Sequence, residues 1–178
     1  MKYARIVGNL LVLLMMMFII TACKSQGGEL LFETVAKSNG PDNLGLTTYR
    51  EEEPALLIIA NGDEVVALVP NVLAEAPTLA DQLRQLDYDR FFAVLVLQGL
   101  KAQGGYSVTV QRIVQQDDQI NVYVEFNSPE PGTRRIQAFT SPYHLVAVSK
   151  RGGEWGQQLH FMLITDSEEV AETSHFIP

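Results

Sequence analysis

Polar and apolar positions follow two regimes along this chain. Up to Gly99 the apolar residues come mostly in blocks. Ala55 to Ala60 (ALLIIA) and Phe91 to Leu97 (FFAVLVL) are uninterrupted, the pattern of strands covered on both faces. Leu30 to Ala36 reads as a first strand, closed by the turn signal Ser38-Asn39-Gly40-Pro41. Gly45 to Glu53 is polar and threonine-rich, an exposed strand or a loop. Asn61-Gly62 is a hairpin signal, but Asn61 with Glu64 three residues on also makes a capping box. The apolar spacing Val65, Leu68, Val69, Val72 favours the second reading, a short helix from about Gly62 to Val69. Thr78 to Leu86 predicts another helix, capped by Thr78, with Leu79, Leu83 and Leu86 on one stripe.

After Gly99 the pattern alternates. Tyr106, Val108 and Val110 interleave with polar residues, as do Ile120, Val122, Val124 and Phe126, with a polar turn at Gln115 to Gln119. This predicts an antiparallel hairpin with one buried face. Ser128 to Gly132 breaks the pattern. Arg134 to Thr140, His144 to Lys150 and Gln158 to Thr165 read as three further strands, the last two joined by Arg151-Gly152-Gly153-Glu154. Asp166 to Pro178 is polar and reads as a fraying tail. The expected fold is α+β: mainly antiparallel sheet with one or two short helices, without internal repeats.

The N-terminus has a different logic. Lys2 and Arg5 precede an apolar run from Ile6 to Ile20, short for a transmembrane helix and sized for a secretory signal. Ile20-Thr21-Ala22-Cys23 resembles a bacterial lipobox. That resemblance implies that the Cys23 thiol receives a diacylglyceryl group and that the chain is cut before it. Residues 1–22 are then a lipoprotein signal peptide, 23–29 a lipidated tether and 30–178 one domain. A single acyl chain holds a protein only marginally, at about 0.8 kcal/mol per buried methylene, whereas two or three on one residue hold it stably. The expected location is the extracytoplasmic face of a membrane, cell surface or periplasm.

Composition narrows the chemistry. The chain has 178 residues, 13 Lys plus Arg against 21 Asp plus Glu, and a formal charge of −8, which argues against nucleic acid as a partner. The single cysteine excludes an intramolecular disulfide and any zinc site built from several thiolates. There is no G-x-S-x-G elbow, no H-E-x-x-H, no phosphate-binding glycine loop and no other cofactor motif. Asp87 and Asp89 with His144 would form a hydrolytic constellation only if folding brought them together. Gly104-Gly105 before Tyr106 permits positive φ and a close backbone approach at a strand start. Pro142, Tyr143 and His144 combine a rigid turn with an amphipathic ring. These six residues are the candidate partner contacts, each of which also reads as turn or packing.

The stretch from Phe91 to Lys150 resembles the C-terminal domain of PrcB-type protease-complex subunits. It carries the apolar strand ending in Gly99, Gly104-Gly105-Tyr106 opening the hairpin, Ser128-Pro129 with Pro131-Gly132, and Ser141-Pro142-Tyr143-His144 leading into an apolar strand. The resemblance implies a surface lipoprotein without catalytic residues, working beside a subtilisin-like protease. A lipid-anchored accessory protein holding a protein partner is the expected function, and a small-ligand-binding lipoprotein the alternative.

Overall fold

The computed structural model describes residues 28–38, 45–132, 136–166 and 168–178. The lipobox, Cys23, the signal peptide and most of the tether lie outside them. Nine strands and two helices follow in the order β1 (Gly28–Glu29), β2 (Phe32–Lys37), β3 (Ala55–Ile59), α1 (Gly62–Leu68), α2 (Pro77–Arg84), β4 (Phe91–Leu97), β5 (Ser107–Gln116), β6 (Gln119–Asn127), β7 (Tyr143–Ser149), β8 (Gln157–Thr165) and β9 (Glu168–Ile177) among the described residues. They form a four-stranded sheet, β2-β7-β4-β3, and a five-stranded sheet, β1-β5-β6-β8-β9. The result is α+β, as the pattern predicts. No described helix is long and apolar enough to cross a membrane.

The period-two rule assigns the layers. Even-numbered residues of β4, Phe92, Val94 and Val96, face the five-stranded sheet and meet Val108, Ile113, Ile120, Val122, Phe161 and Leu163. Odd-numbered Ala93, Leu95 and Leu97 face the other way, onto Val65 of α1 and Leu79, Ala80 and Leu83 of α2. The order is therefore helices, four-stranded sheet, five-stranded sheet. Residues Phe92 to Leu97 are fully buried because both their faces are covered. The outer face of the five-stranded sheet stays open, which explains the polar half of the β5–β6 alternation.

Local chemistry explains the helix starts. The Asn61 side chain accepts from the Glu64 N–H at 3.1 Å, and Glu64 Oε2 reaches back to accept from the Ala60 N–H at 2.7 Å. Asn61-Gly62 thus opens a helix, and the hairpin reading fails. The second helix differs from expectation: Ala76 stands at its N-cap and makes no side-chain cap bond, while Pro77 occupies the first turn. The fixed φ of proline and its missing N–H start the helix without help from Thr78.

Three other expectations change, and one open alternative is decided. Where a fraying tail is expected over Asp166 to Pro178, Glu168–Ile177 forms β9, paired antiparallel to β8 with Ile177 buried. Ala171, Thr173, His175 and Ile177 alternate with exposed Glu172, Ser174 and Phe176, a half-buried strand whose inner positions are only weakly apolar. Arg134 to Thr140 holds no strand among its described residues: Ile136 and Phe139 are exposed, and only Thr140 bridges to Lys101. Of the two readings of Gly45 to Glu53 the loop holds, with Leu46 buried under the helices. Gly28 and Glu29, expected in the tether, pair instead with Gln115 and Val114. One strand pair is parallel, β6 with β8, because the chain crosses to the other sheet for β7 between them.

The register defines two ends. Phe91 faces Ser149 at one, and Leu97 faces Tyr143 at the other. At about 3.3 Å per residue they stand roughly 20 Å apart. The N-terminal strand Gly28–Glu29, the turn Asp117-Asp118 and the loop 150–156 share the first end, where the Gln115 amide donates to the carbonyls of Asp117 and Glu154. Gly99, Gly104 to Tyr106 and Ser141-Pro142 share the second.

Candidate functional site

At the second end the loop after β4 and the segment before β7 lie side by side. Lys101 and Thr140 exchange two backbone hydrogen bonds, at 2.7 and 2.9 Å, and the Gly104 N–H donates to the Ile136 carbonyl at 3.0 Å. On one of the two segments Phe139 is 61% and Ile136 39% exposed, and the other runs on to half-buried Tyr106. The Lys101 ammonium lies 5.9 Å from the Tyr106 ring centroid. Neither Phe139 nor Ile136 stood out in the sequence, since both sit in a segment read as a strand.

Two glycines shape this end. Gly99 has φ +84°, and a Cβ there would stand 2.1 Å from the Glu52 carbonyl oxygen. Gly105 has φ +94°, and a Cβ would meet the Pro129 side chain at 2.9 Å. At Gly105 the close neighbour is the chain's own proline, so this glycine serves the turn. Gly104 and Pro142 are buried, whereas Gly105 is exposed. The oxygens Gln98 Oε1 and Ser141 Oγ are buried at this same end and have no hydrogen-bond partner among the described residues.

Tyr143 is half-buried in the core on the helix side, and burial raises its phenol pKa. His144 is 3% exposed. Its Nδ1 accepts from the Val110 N–H at 2.8 Å. The proton of the neutral ring therefore sits on Nε2, which donates to Thr34 Oγ1 at 2.9 Å. Burial first, and the Lys37 charge second, lower its pKa from 6.5 to about 4. β1 pairs with Val114 and Gln115 on β5, so Val110, next to a bulge, has no strand neighbour on that side among the described residues. The imidazole supplies the acceptor and ties β7 of one sheet to β5 of the other. His144 is thus held inside, away from any partner's surface.

Asp87 and Asp89 do not approach His144. They precede Phe91 at the first end, with Asp87 Oδ1 accepting from the Asp89 N–H at 3.2 Å, while His144 pairs with Val96 near the second. The other histidines lie elsewhere: His160 bonds Ser174 on the open sheet face, and His175 meets Glu64 of α1 at 3.1 Å. Among the described residues no group of three or more His, Cys, Asp or Glu is placed to hold a metal. The described concavities are open clefts. One of about 240 Å³ lies by Leu31, Arg90 and Arg151, and another of about 500 Å³ by His160 and Glu172.

The architecture is thus a helix-backed β-sandwich whose second end presents the exposed side chains of Ile136 and Phe139. Residues 92–149, from β4 through β7, match the family model described as PrcB C-terminal. The matched segment supplies the two central strands of one sheet, the hairpin of the other, and the loops of the apolar rim. The match points to an accessory role in a protease complex. No curated protein and no solved structure matches this chain.

Proposed function

We propose that the protein is a membrane-fastened accessory subunit: acyl chains on Cys23 hold it on the extracytoplasmic face, and the rim at Tyr106, Ile136 and Phe139 docks a protein partner, a secreted subtilisin-like protease. The observation that carries this reading is the match at residues 92–149, because that segment builds the exposed rim. A patch of two exposed apolar side chains with an aromatic ring and a cation beside it is the ordinary chemistry of a protein contact. Of the six sequence-derived contact candidates, Gly105 and Tyr106 belong to this surface. Gly104 and Pro142 support it from beneath, Tyr143 packs toward the helices, and His144 staples the sheets.

The test uses the full chain, recovered from detergent extracts of membranes. Tyr106→Ala combined with Phe139→Ala is expected to lower recovery of a co-purifying protease several-fold, while Cys23→Ser abolishes labelling by fatty acid. A protease recovered equally well by the double variant moves the contact elsewhere. Labelling that survives Cys23→Ser removes the anchor.

A further inference from the structure

We propose that the N-terminal end of the sandwich is a membrane-contacting foot, in which Arg90 and Arg151 meet lipid phosphates and Leu31 enters the headgroup layer. The inference rests on the reading that Cys23 is acylated. Gly28 stands five residue steps from Cys23, and each step spans at most about 3.6 Å, so the acylated residue lies within roughly 18 Å of Gly28. Gly28 and Glu29 are themselves paired to Gln115 and Val114. A body tethered this closely turns its first end toward the bilayer.

That end carries fitting chemistry. Leu31 is 72% exposed, the highest value among the described exposed large apolar side chains. It borders the open cleft of about 240 Å³, whose lining includes Phe32, Phe91, Arg90 and Arg151. The Arg90 guanidinium lies 5.4 Å from the centroid of the Phe91 ring. Among the described residues neither Arg90 nor Arg151 is in an ion pair, although Glu33 shares the cleft and Asp89 adjoins it. Lys150, between them, is already engaged, donating to the Tyr88 carbonyl at 2.8 Å and the Pro178 carbonyl at 2.9 Å. The planar guanidinium is the side chain best matched to phosphate oxygens. Asp117, Asp118 and Glu154 share this end and the whole chain carries −8, so two arginines do not recruit the protein by themselves. The acyl chains supply the affinity, and the foot fixes the orientation, which leaves the apolar rim pointing outward.

The natural probe is Trp155, the one tryptophan, which sits at this end with its indole N–H donating to the Lys150 carbonyl. The full chain with its native N-terminal modification is reconstituted into phosphatidylcholine–phosphatidylglycerol vesicles, with or without bromine on the upper acyl chains. Bromine quenches indole emission only at short range. Emission of the wild-type chain is expected to fall in brominated vesicles. Arg90→Glu with Arg151→Glu loses the quenching while the protein still floats with the vesicles, and Arg112→Glu, on the open sheet face, keeps it. Flotation without quenching of the wild type, or quenching unchanged in the double variant, overturns the foot and leaves the anchor standing. A wild-type chain that does not float removes the anchor, and the foot with it.

Discussion

His144 shows how one side chain can look like chemistry and serve architecture. A histidine in a Ser-Pro-Tyr-His run invites a contact or acid–base role, and in the sequence nothing decides between that and packing. In the fold, both ring nitrogens are spent, one on the Val110 N–H and one on Thr34. The consequence is a pH dependence of stability. The folded pKa lies near 4, below the usual 6.5, so between those values the unfolded chain holds the extra proton. Stability is therefore fully present above pH 6.5 and declines as the pH falls toward 4, by up to about 3 kcal/mol from this group. Urea unfolding between pH 4 and 7 is expected to show this slope, and His144→Leu to flatten it while costing about 1–3 kcal/mol for the stranded Val110 N–H. An equally steep profile in His144→Leu would assign the slope to other groups.

At the scale of elements, continuous apolar runs were the most legible feature. Phe91 to Leu97 becomes β4 at the bounds its pattern gives, because a strand buried on both faces needs no partner-specific alternation. The β5–β6 hairpin and α1 with its capping box were equally readable from local chemistry. β9 was not. Its inner positions include Ala171, Thr173 and His175, too polar to declare a buried face, and its strand character comes from the edge that β8 offers. Truncation after Thr165 is therefore expected to cost more than loss of a disordered tail. It uncovers the β8 edge and removes Ile177 from the core, along with the His175–Glu64 contact to α1. Limited proteolysis of the truncated chain should digest it well before the full-length domain, and equal resistance would show that β9 only decorates the sheet.

At the scale of the molecule, β4 and β7 belong to both packed layers, since Val94 and Val146 face one core while Leu95 and Leu145 face the other. Neither layer can be lost without exposing these strands, and small single domains with such shared cores unfold in one step. Trp155, edge-on to Phe92 at 5.4 Å, reports the inter-sheet layer. Its fluorescence and the far-ultraviolet circular dichroism are expected to trace one urea transition. Two separated midpoints would mean that the helical layer melts independently. The two ends of the sandwich also acquire meaning only here: one lies close to the N-terminal tether, and the apolar rim lies across the body from it.

What the sequence determined by itself was local: the blocks and alternations that make β3 to β8 and α1, the α+β class, and the lipobox resemblance at Cys23. These follow from short-range periodicity and from motifs a few residues long. The resemblance of Phe91 to Lys150 to PrcB-type domains was also readable there, and the family match covers nearly the same span. Only the tertiary structure decided that β6 and β8 run parallel, that the last residues form a strand, and that His144 bridges two sheets. It also decided that Ile136 and Phe139 surface beside Tyr106. Each of these depends on which strand edge, or which empty space, another part of the chain brings alongside. That is a property of long-range packing, and no local run of residues encodes it.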